Sequence, residues 1–416
     1  MGDYDALDRA RLGKLFDLTS AIYASRGGGF ATDPYPAFHR LRESGPVHEG
    51  IVGPLVGFTG DGFFQGLPYP NRPHWSAFDW TTCDAVFRDG ATYVSKPPPE
   101  DTPGLTNASI LYMDGTEHRR YRALVQPSFL PKRASWWTEQ WVVGAIEALL
   151  DRMEPNGAAD LNVEFFSAIP LLTITGSLGV SVADALDIRE AVTSDGLGIQ
   201  AFARIVPPIV QARREEPRDD LISVLVAAEI TEEDGSTHRL TDEEVLIFCF
   251  ILLAAGSGTT WKQMGITMLA LFGNPEWLAA VRDDRAQLRP VVEESLRWMP
   301  TDPMFSRFVA REAELAGIVM PEGAVVHMCL AAANRDPSRW ERPDEFDPGR
   351  PVQPHLGFGT GAHICLGSHV ARAELVTAIG ALLDRFPDLR LDPDAPAPRI
   401  TGMYERGPTS VPVLFD

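Results

Sequence analysis

Cysteine is scarce in this chain. Cys83, Cys249, Cys329 and Cys365 are scattered over 416 positions, with no Cys-x-x-Cys pair. That excludes a disulfide framework and a zinc site built from cysteine pairs. Positive charge is also short: 37 Lys and Arg stand against 57 Asp and Glu, a formal net charge of −20. A general nucleic-acid binder needs a basic footprint and is excluded, and any patch that attracts an acidic partner must be local. The longest apolar run, Val245 to Ala255, falls far short of the roughly 20 residues a bilayer requires, so no membrane partner is expected. The opening Met-Gly-Asp-Tyr-Asp-Ala has no apolar stretch for a secretory signal, and Ala6 breaks the myristoylation pattern. A cytoplasmic location is the expectation. Internal repeats and low-complexity tracts are absent.

What is present is mostly helix. Tyr35–Ser44 reads as a helix because Asp33 can cap it and Gly45-Pro46 ends it. Thr81–Arg88 and Thr116–Leu124 are predicted helices, and so is most of Ala134 to Trp298. Within that stretch Thr241 and Glu244 form a capping box. The segment they open is apolar on every side, the mark of a helix running through a core. Strands are expected at Arg307–Ala310 and Ala324–Met328, and a last helix at Leu366–Phe386. Ile51–Trp80, rich in Gly, Pro and aromatics, reads as a long irregular excursion. The fold class is mainly α with small β-sheets. No linker interrupts residues 1–416, so a single large domain is expected, although about 150 residues per domain would allow two or three.

The densest chemistry lies in His355-Leu-Gly-Phe-Gly-Thr-Gly-Ala-His-Ile-Cys-Leu-Gly-Ser-His369. Glycines at 357, 359, 361 and 367 suggest a tight turn around one cysteine. A helix beginning just after Cys365 would favour a thiolate there. A zinc site of His355, His363, Cys365 and His369 matches no common spacing. A dinucleotide loop over Gly357, Gly359 and Gly361 lacks a leading strand and follows Pro354. The third reading is a single axial thiolate for a haem.

Phe358-Gly-Thr-Gly361-Ala-His363-Ile-Cys365-Leu-Gly367 resembles the cysteine loop of cytochrome P-450, the haem-thiolate monooxygenases. Glu294-Ser-Leu-Arg297 resembles the family's E-x-x-R. Asn334-Arg-Asp-Pro337 through Phe346-Asp-Pro-Gly-Arg350 resembles its meander. Asp33-Pro-Tyr-Pro36 and Glu117-His118-Arg-Arg-Tyr-Arg122 resemble its early helices. The resemblance spans nearly the whole chain, in the style of soluble bacterial members.

The resemblance implies a cytochrome P-450 fold, with haem b (iron protoporphyrin IX) held by Cys365 as axial ligand to the iron. Phe358, Gly359 and Gly367 would shape the loop around the sulfur. His118, Arg122, Arg307 and His363 would meet the haem propionates. Glu294, Arg297 and Arg350 would form a buried structural triad. Ala255, Gly256, Ser257, Gly258 and Thr259 would lie on the oxygen-activation helix, where Gly256 lets the helix open and Thr259 supplies a hydroxyl. The bland alternative for Thr259 is a back-bonding hydroxyl. Gly258 departs from the family, which places an acid before that Thr. Normal hydroxylation, a peroxide-using reaction, and an isomerisation, dehydration or coupling all stay open for that reason.

Met304, Phe305, Met403 and Tyr404 would give an apolar wall for a small apolar substrate. The contributing segments would be Ser95–Ile110, Leu252–Thr259, Asp302–Phe305 and Gly402–Tyr404. Electrons would come from a separate ferredoxin or flavodoxin, docked on Arg119, Arg120, Lys132, Arg133, Arg335, Arg339 and Arg372. Val180–Asp219, expected to hold two lid helices, is short by comparison: either a segment is missing there or the lid is reduced, in which case the excursion Ile51–Trp80 is expected to cover part of the pocket mouth.

Overall fold

The computed structural model describes residues 4–20, 27–60, 69, 71–98, 109–195, 199–231 and 234–416. Its axis is one helix, Asp242–Gly273. The capping box forms: the Thr241 side chain accepts from Glu244 N at 3.3 Å, and Glu244 Oε2 accepts from Thr241 N at 2.8 Å. Tyr121 donates to the other Glu244 oxygen at 2.7 Å, tying the early helix Gly115–Val125 to the same start. By length and composition this long helix could cross a membrane. Its apolar surface instead lies against Ala168–Ser177, Ile199–Glu215, Leu288–Trp298 and Ser368–Arg385. Each Leu, Ile or Phe so buried contributes about 1.5–3 kcal/mol, which makes this contact set the main core.

A five-stranded sheet flanks the helical body. Its order is Val47–Glu49, His74–Ala77, Val325–Cys329, Met304–Val309, Tyr93–Val94. Only the pairing of His74–Ala77 with Val325–Cys329 is parallel. The two predicted strands are therefore present, displaced by up to three residues. Helices form at Tyr35–Ser44, Trp80–Arg88 and Gly115–Val125, close to their predicted bounds. Asp33 accepts from Tyr35 N at 3.1 Å, but Pro34 rather than Asp33 occupies the N-cap position.

The excursion is more ordered than its composition implied. It contains a short helix, Val52–Leu55, and the sheet strand His74–Ala77. Four residues without clear alternation carry no strand signal of their own; the two neighbouring strands define this one. Residues 61–68 and 70, including Phe63 and Phe64, lie outside the described residues, as do 99–108 of the expected substrate segment. The lid region is not reduced to a stub, since helices occupy Val182–Asp195 and Ile199–Glu215. The last helix starts at Ser368 rather than Leu366.

Candidate active site

The cysteine loop is closed by its own backbone. Cys365 N donates to Phe358 O at 2.9 Å and Gly359 N to Leu356 O at 2.8 Å. Leu356 N is anchored on Asn334 Oδ1 at 2.7 Å. Gly361 has φ +74°, and a Cβ there would stand 2.5 Å from Phe87 O. No side chain fits that position, so the glycine brings the loop down onto the helix Trp80–Arg88.

Cys365 keeps accessible surface, as do Ala362 and Ile364 beside it. Yet burial pushes its thiol pKa up, opposed by the Gly367 N–H, Arg122 and Arg372, while Asp302 adds to the rise. A sulfur both accessible and desolvated marks the wall of an interior recess. The expected thiolate is thus not stabilised by the protein alone: the helix begins three residues later, and desolvation outweighs its N–H groups.

Cations gather on one flank. The rings of His118 and His363 stack with centroids 3.9 Å apart. Arg122 Nη2 donates to Ile364 O at 2.6 Å. Burial lowers the His118 pKa to about 4, with His363, Arg122 and Arg307 adding to the shift and Asp114 opposing it. Burial likewise lowers Arg307 to about 10, opposed by Asp114. Asp114 is the local counter-charge. Burial would raise its pKa, but hydrogen bonds from His363, Ser95 N and Lys96 N bring it below the ordinary range. His118 is then uncharged near neutrality, but Arg122 and Arg307 stand charged against that one carboxylate and leave a local excess of positive charge.

The loop is braced from behind. Glu294 and Arg297 form a double hydrogen bond, 2.7 Å on each arm. Arg350 Nε reaches Glu294 Oε1 at 3.0 Å. Arg297 also donates to Asn334 O, Pro343 O and Glu345 O, which stitches the meander to the helix Leu288–Trp298. A neighbouring brace escaped the sequence reading. Glu293 binds both His355 and Arg372, and the Arg372 guanidinium lies 4.5 Å over the Phe358 ring. Despite burial, those two partners lower the Glu293 pKa to about 2. Its only signal was adjacency to Glu294.

On the long helix, Ala254 and Ala255 are exposed between the buried Leu253 and Thr260. In a core helix, two exposed alanines mark an open recess at that point. The helix runs unbroken through Ala255–Thr260. Gly256 admits Ile174, whose Cγ1 would stand 3.0 Å from a Cβ there, so its visible work is close helix packing. Ser257, Gly258 and Thr259 are half-buried. Thr173, Thr175 and Thr267 bond back to carbonyls four residues earlier; among the described residues Thr259 makes no such bond.

The apolar wall needs correction. Met304, Met403 and Tyr404 retain 2% exposure or less and fill a core cluster with Phe30, Phe38 and Phe78. Phe305 alone of the four keeps appreciable surface. The residue that reaches the long helix is Glu405, with Lys262 and Asp302 beside it. One signal was available: a lysine in the middle of an all-apolar helix demands a buried partner. Arg335 also leaves the proposed docking patch. It is 5% exposed, stacked 3.4 Å over Tyr35 and bonded to Trp298 O.

Comparison with known proteins follows the same lines. Residues 200–403 match the family model for cytochrome P-450. The chain is 34% identical over 384 residues to the cytochrome P-450 monooxygenase PikC of Streptomyces venezuelae, covering 88% of this chain and 87% of PikC. The structure of the Bacillus subtilis 168 bacillaene polyketide synthase cytochrome P-450 PksS superposes with TM-score 0.80 at 28% identity, over 94% of this chain and 99% of that one. P450BioI, solved in complex with hexadec-9Z-enoic acid ligated acyl carrier protein, gives TM-score 0.79 at 27% identity, over 92% and 99%. The loop, the helix and the brace thus occur in a chain that belongs to the cytochrome P-450 family.

Proposed function

We propose that this protein is a haem-thiolate monooxygenase that inserts one atom of dioxygen into a small apolar organic molecule. The observation that carries the reading is the Cys365 sulfur, accessible within a desolvated recess whose flank holds the basic cluster. The family implies haem, and the residues present fit it. A lone accessible thiol suits a single axial ligand, and its raised pKa becomes irrelevant once metal displaces the proton. Four basic groups, two of them desolvated by burial, suit two carboxylates, which would supply the counter-charge. Exposed Ala254 and Ala255 suit a flat apolar face. Haem b is the form proposed, because no Cys-x-x-Cys-His attachment sequence occurs.

In this reading Cys365 would hold the iron, and the Gly367 N–H bonded to its sulfur would temper the charge it donates. His118, Arg122, Arg307 and His363 orient the group through its propionates. Bound haem supplies the redox chemistry that activates dioxygen. Ala254 and Ala255, exposed on the long helix, would leave a flat group uncrowded, and the Thr259 hydroxyl, which makes no bond back to its own helix, would be free to pass a proton. Phe305 and the long helix exclude water and favour an apolar guest.

Electrons are proposed to come from a ferredoxin or flavodoxin. Arg119 and Lys132 remain exposed for docking, whereas Arg133 and Arg372 are engaged with Asp219 and Glu293. A cytoplasmic location belongs to the same proposal, and the four unpaired cysteines support it.

The test is expression with a porphyrin precursor, followed by reduction under carbon monoxide. The long-wavelength Soret band of a thiolate-ligated haem is expected. Incubation with labelled dioxygen, a ferredoxin, its reductase and apolar compounds that change the spin state should then place one labelled atom in product. A colourless protein defeats the cofactor assignment; coloured protein with unlabelled product defeats the oxygen insertion.

A further inference from the structure

Gly258 leaves no side chain before Thr259, and the fold fills that space from a distant segment. Glu405 Oε1 lies 3.2 Å from where a Cβ on residue 258 would stand. Glu405 sits on a turn with little freedom. Gly402 has φ +102°, and a Cβ there would collide with Glu405 O. Arg406 Nη1 closes the turn on Gly402 O at 2.7 Å, and Arg406 N donates to Thr301 O at 2.7 Å. Thr301 N in turn donates to Gln263 Oε1 of the long helix at 2.9 Å. The turn, residues 301–302 and the helix therefore form one braced unit.

Lys262 aims the carboxylate. It follows Gly258 by four positions, hence on the same helix face. It is 2% exposed, and its Nζ lies 2.7 Å from Glu405 Oε1. Its stem is clamped by Gly407, where a Cβ would stand 2.8 Å from Lys262 Cβ. Asp302 adds a second acid whose buried Oδ1 has no hydrogen-bond partner among the described residues. Two carboxylates and one ammonium carry one surplus negative charge. Burial and the Glu405 charge raise the Asp302 pKa to about 7, with Lys262 opposing, so the cluster stores a proton near neutrality. Arg406, on the same turn, is directed to Gly402 and interacts electrostatically with Tyr35, Asp33 and Arg335. The Asp302 charge also reaches the Cys365 thiol and adds to the rise in its pKa.

We propose that Glu405, positioned by Lys262 and sharing charge with Asp302, supplies protons to the Thr259 side of the recess in place of an acid at residue 258. This rests on the monooxygenase reading, in which RH + O2 + 2e− + 2H+ gives ROH + H2O. Without substrate, O2 + 2e− + 2H+ gives H2O2. In either case both protons enter from solvent, and the carboxyl that releases one regains one. Glu405 acts through Thr259 or water and is a positioning residue.

The experiment uses the haem-loaded full chain and three variants: Glu405→Gln, Gly258→Asp, and both together. The first readout needs no turnover. The infrared C=O stretch of a buried protonated carboxyl should titrate near neutrality in the parent and at markedly lower pH in Glu405→Gln, because Asp302 loses its charged neighbour. The second is oxygen uptake without added substrate, driven by a ferredoxin and its reductase across the neutral pH range. Glu405→Gln should slow uptake by about tenfold or more and flatten its pH profile, with haem content and the carbon monoxide spectrum intact. The double variant should recover most of the rate, because an acid again faces Thr259.

An unchanged rate and pH profile in Glu405→Gln overturns the proposal. So does a loss that the double variant leaves unrescued, which makes Glu405 a brace. A spin-state shift induced by benzylamine and abolished in Glu405→Gln, with the pH profile kept, makes the cluster a cation subsite instead. Loaded parent protein that consumes no oxygen overturns the monooxygenase reading; an infrared band indifferent to Glu405 overturns only this inference.

Discussion

The two walls of the recess are built in opposite ways. On the sulfur side, ten consecutive residues from Phe358 to Gly367 carry the ligand, its backbone bonds and its positive-φ turn. On the helix side, the polar cluster draws Lys262, Asp302 and Glu405 from three segments that meet only in the folded state. A metal-binding thiol needs local backbone geometry, so its determinants stay contiguous in the chain. A carboxylate near a hydroxyl needs only proximity, so it can arrive from anywhere the fold allows. The family-like wall is read by motif; the divergent wall must be read by distance.

Breaking the sulfur wall should give the largest effect. Cys365→Ser is expected to abolish the long-wavelength carbon monoxide band outright, measured by difference spectroscopy on protein expressed with porphyrin precursor. A retained band would remove the axial ligand from its assigned place.

Next comes the brace behind that wall. Arg297 is 1% exposed and donates to both oxygens of Glu294 and to three carbonyls. Arg297→Ala strands a buried carboxylate and should cost about 3–5 kcal/mol. Denaturant melts and soluble yield check this, and a variant of parental stability would show the triad to be dispensable.

A smaller loss is expected in the loop itself. Gly361→Ala imposes a left-handed φ and a 2.5 Å approach to Phe87 O, at a cost of about 1–3 kcal/mol. The matching substitution on the other wall, Gly258→Ala, meets only one side-chain atom, the Glu405 carboxylate oxygen, at 3.2 Å and at an ordinary helical φ. Its melting temperature should fall less. Equal losses would erase the contrast between the two walls.

The smallest effect is a change of slope. Glu374 is buried on the last helix and its side chain bonds Thr173; burial raises its pKa to about 8, against that hydrogen bond. Between about 4.5 and about 8 the unfolded chain ionises this group while the native state keeps the proton. Its stabilising contribution is full below about 4.5 and is lost as pH rises through about 8. Glu374→Gln should therefore be more resistant to urea than the parent at pH near 8, with the difference closing in acid. Parallel curves for the two proteins would show that Glu374 is ionised in the folded state.

Much of the molecule was legible in order. The capping box at Thr241 fixed the start of the long helix because both halves of that interaction lie within four residues. The bounds of Tyr35–Ser44 followed from a breaker of equally short range, Gly45-Pro46, and Thr116–Leu124 was found within one residue of its predicted bounds. Reading failed where the partner was distant. His74–Ala77 becomes a strand because Val47–Glu49 and Val325–Cys329 flank it. Arg335 looked like surface charge and is a buried residue stacked on Tyr35. Met403 and Tyr404 looked like pocket wall, while Glu405 next to them turns toward the helix.

The chain by itself determined the helix-rich class, the family and the cysteine at its centre, because each is set by neighbours along the backbone or by the sum of composition. Only the tertiary structure decided which charges share a recess: which basic side chains crowd beside His118, and which carboxylate stands where Gly258 has none. Electrostatic interaction depends on separation in space and on burial, and neither is a property of position in a sequence.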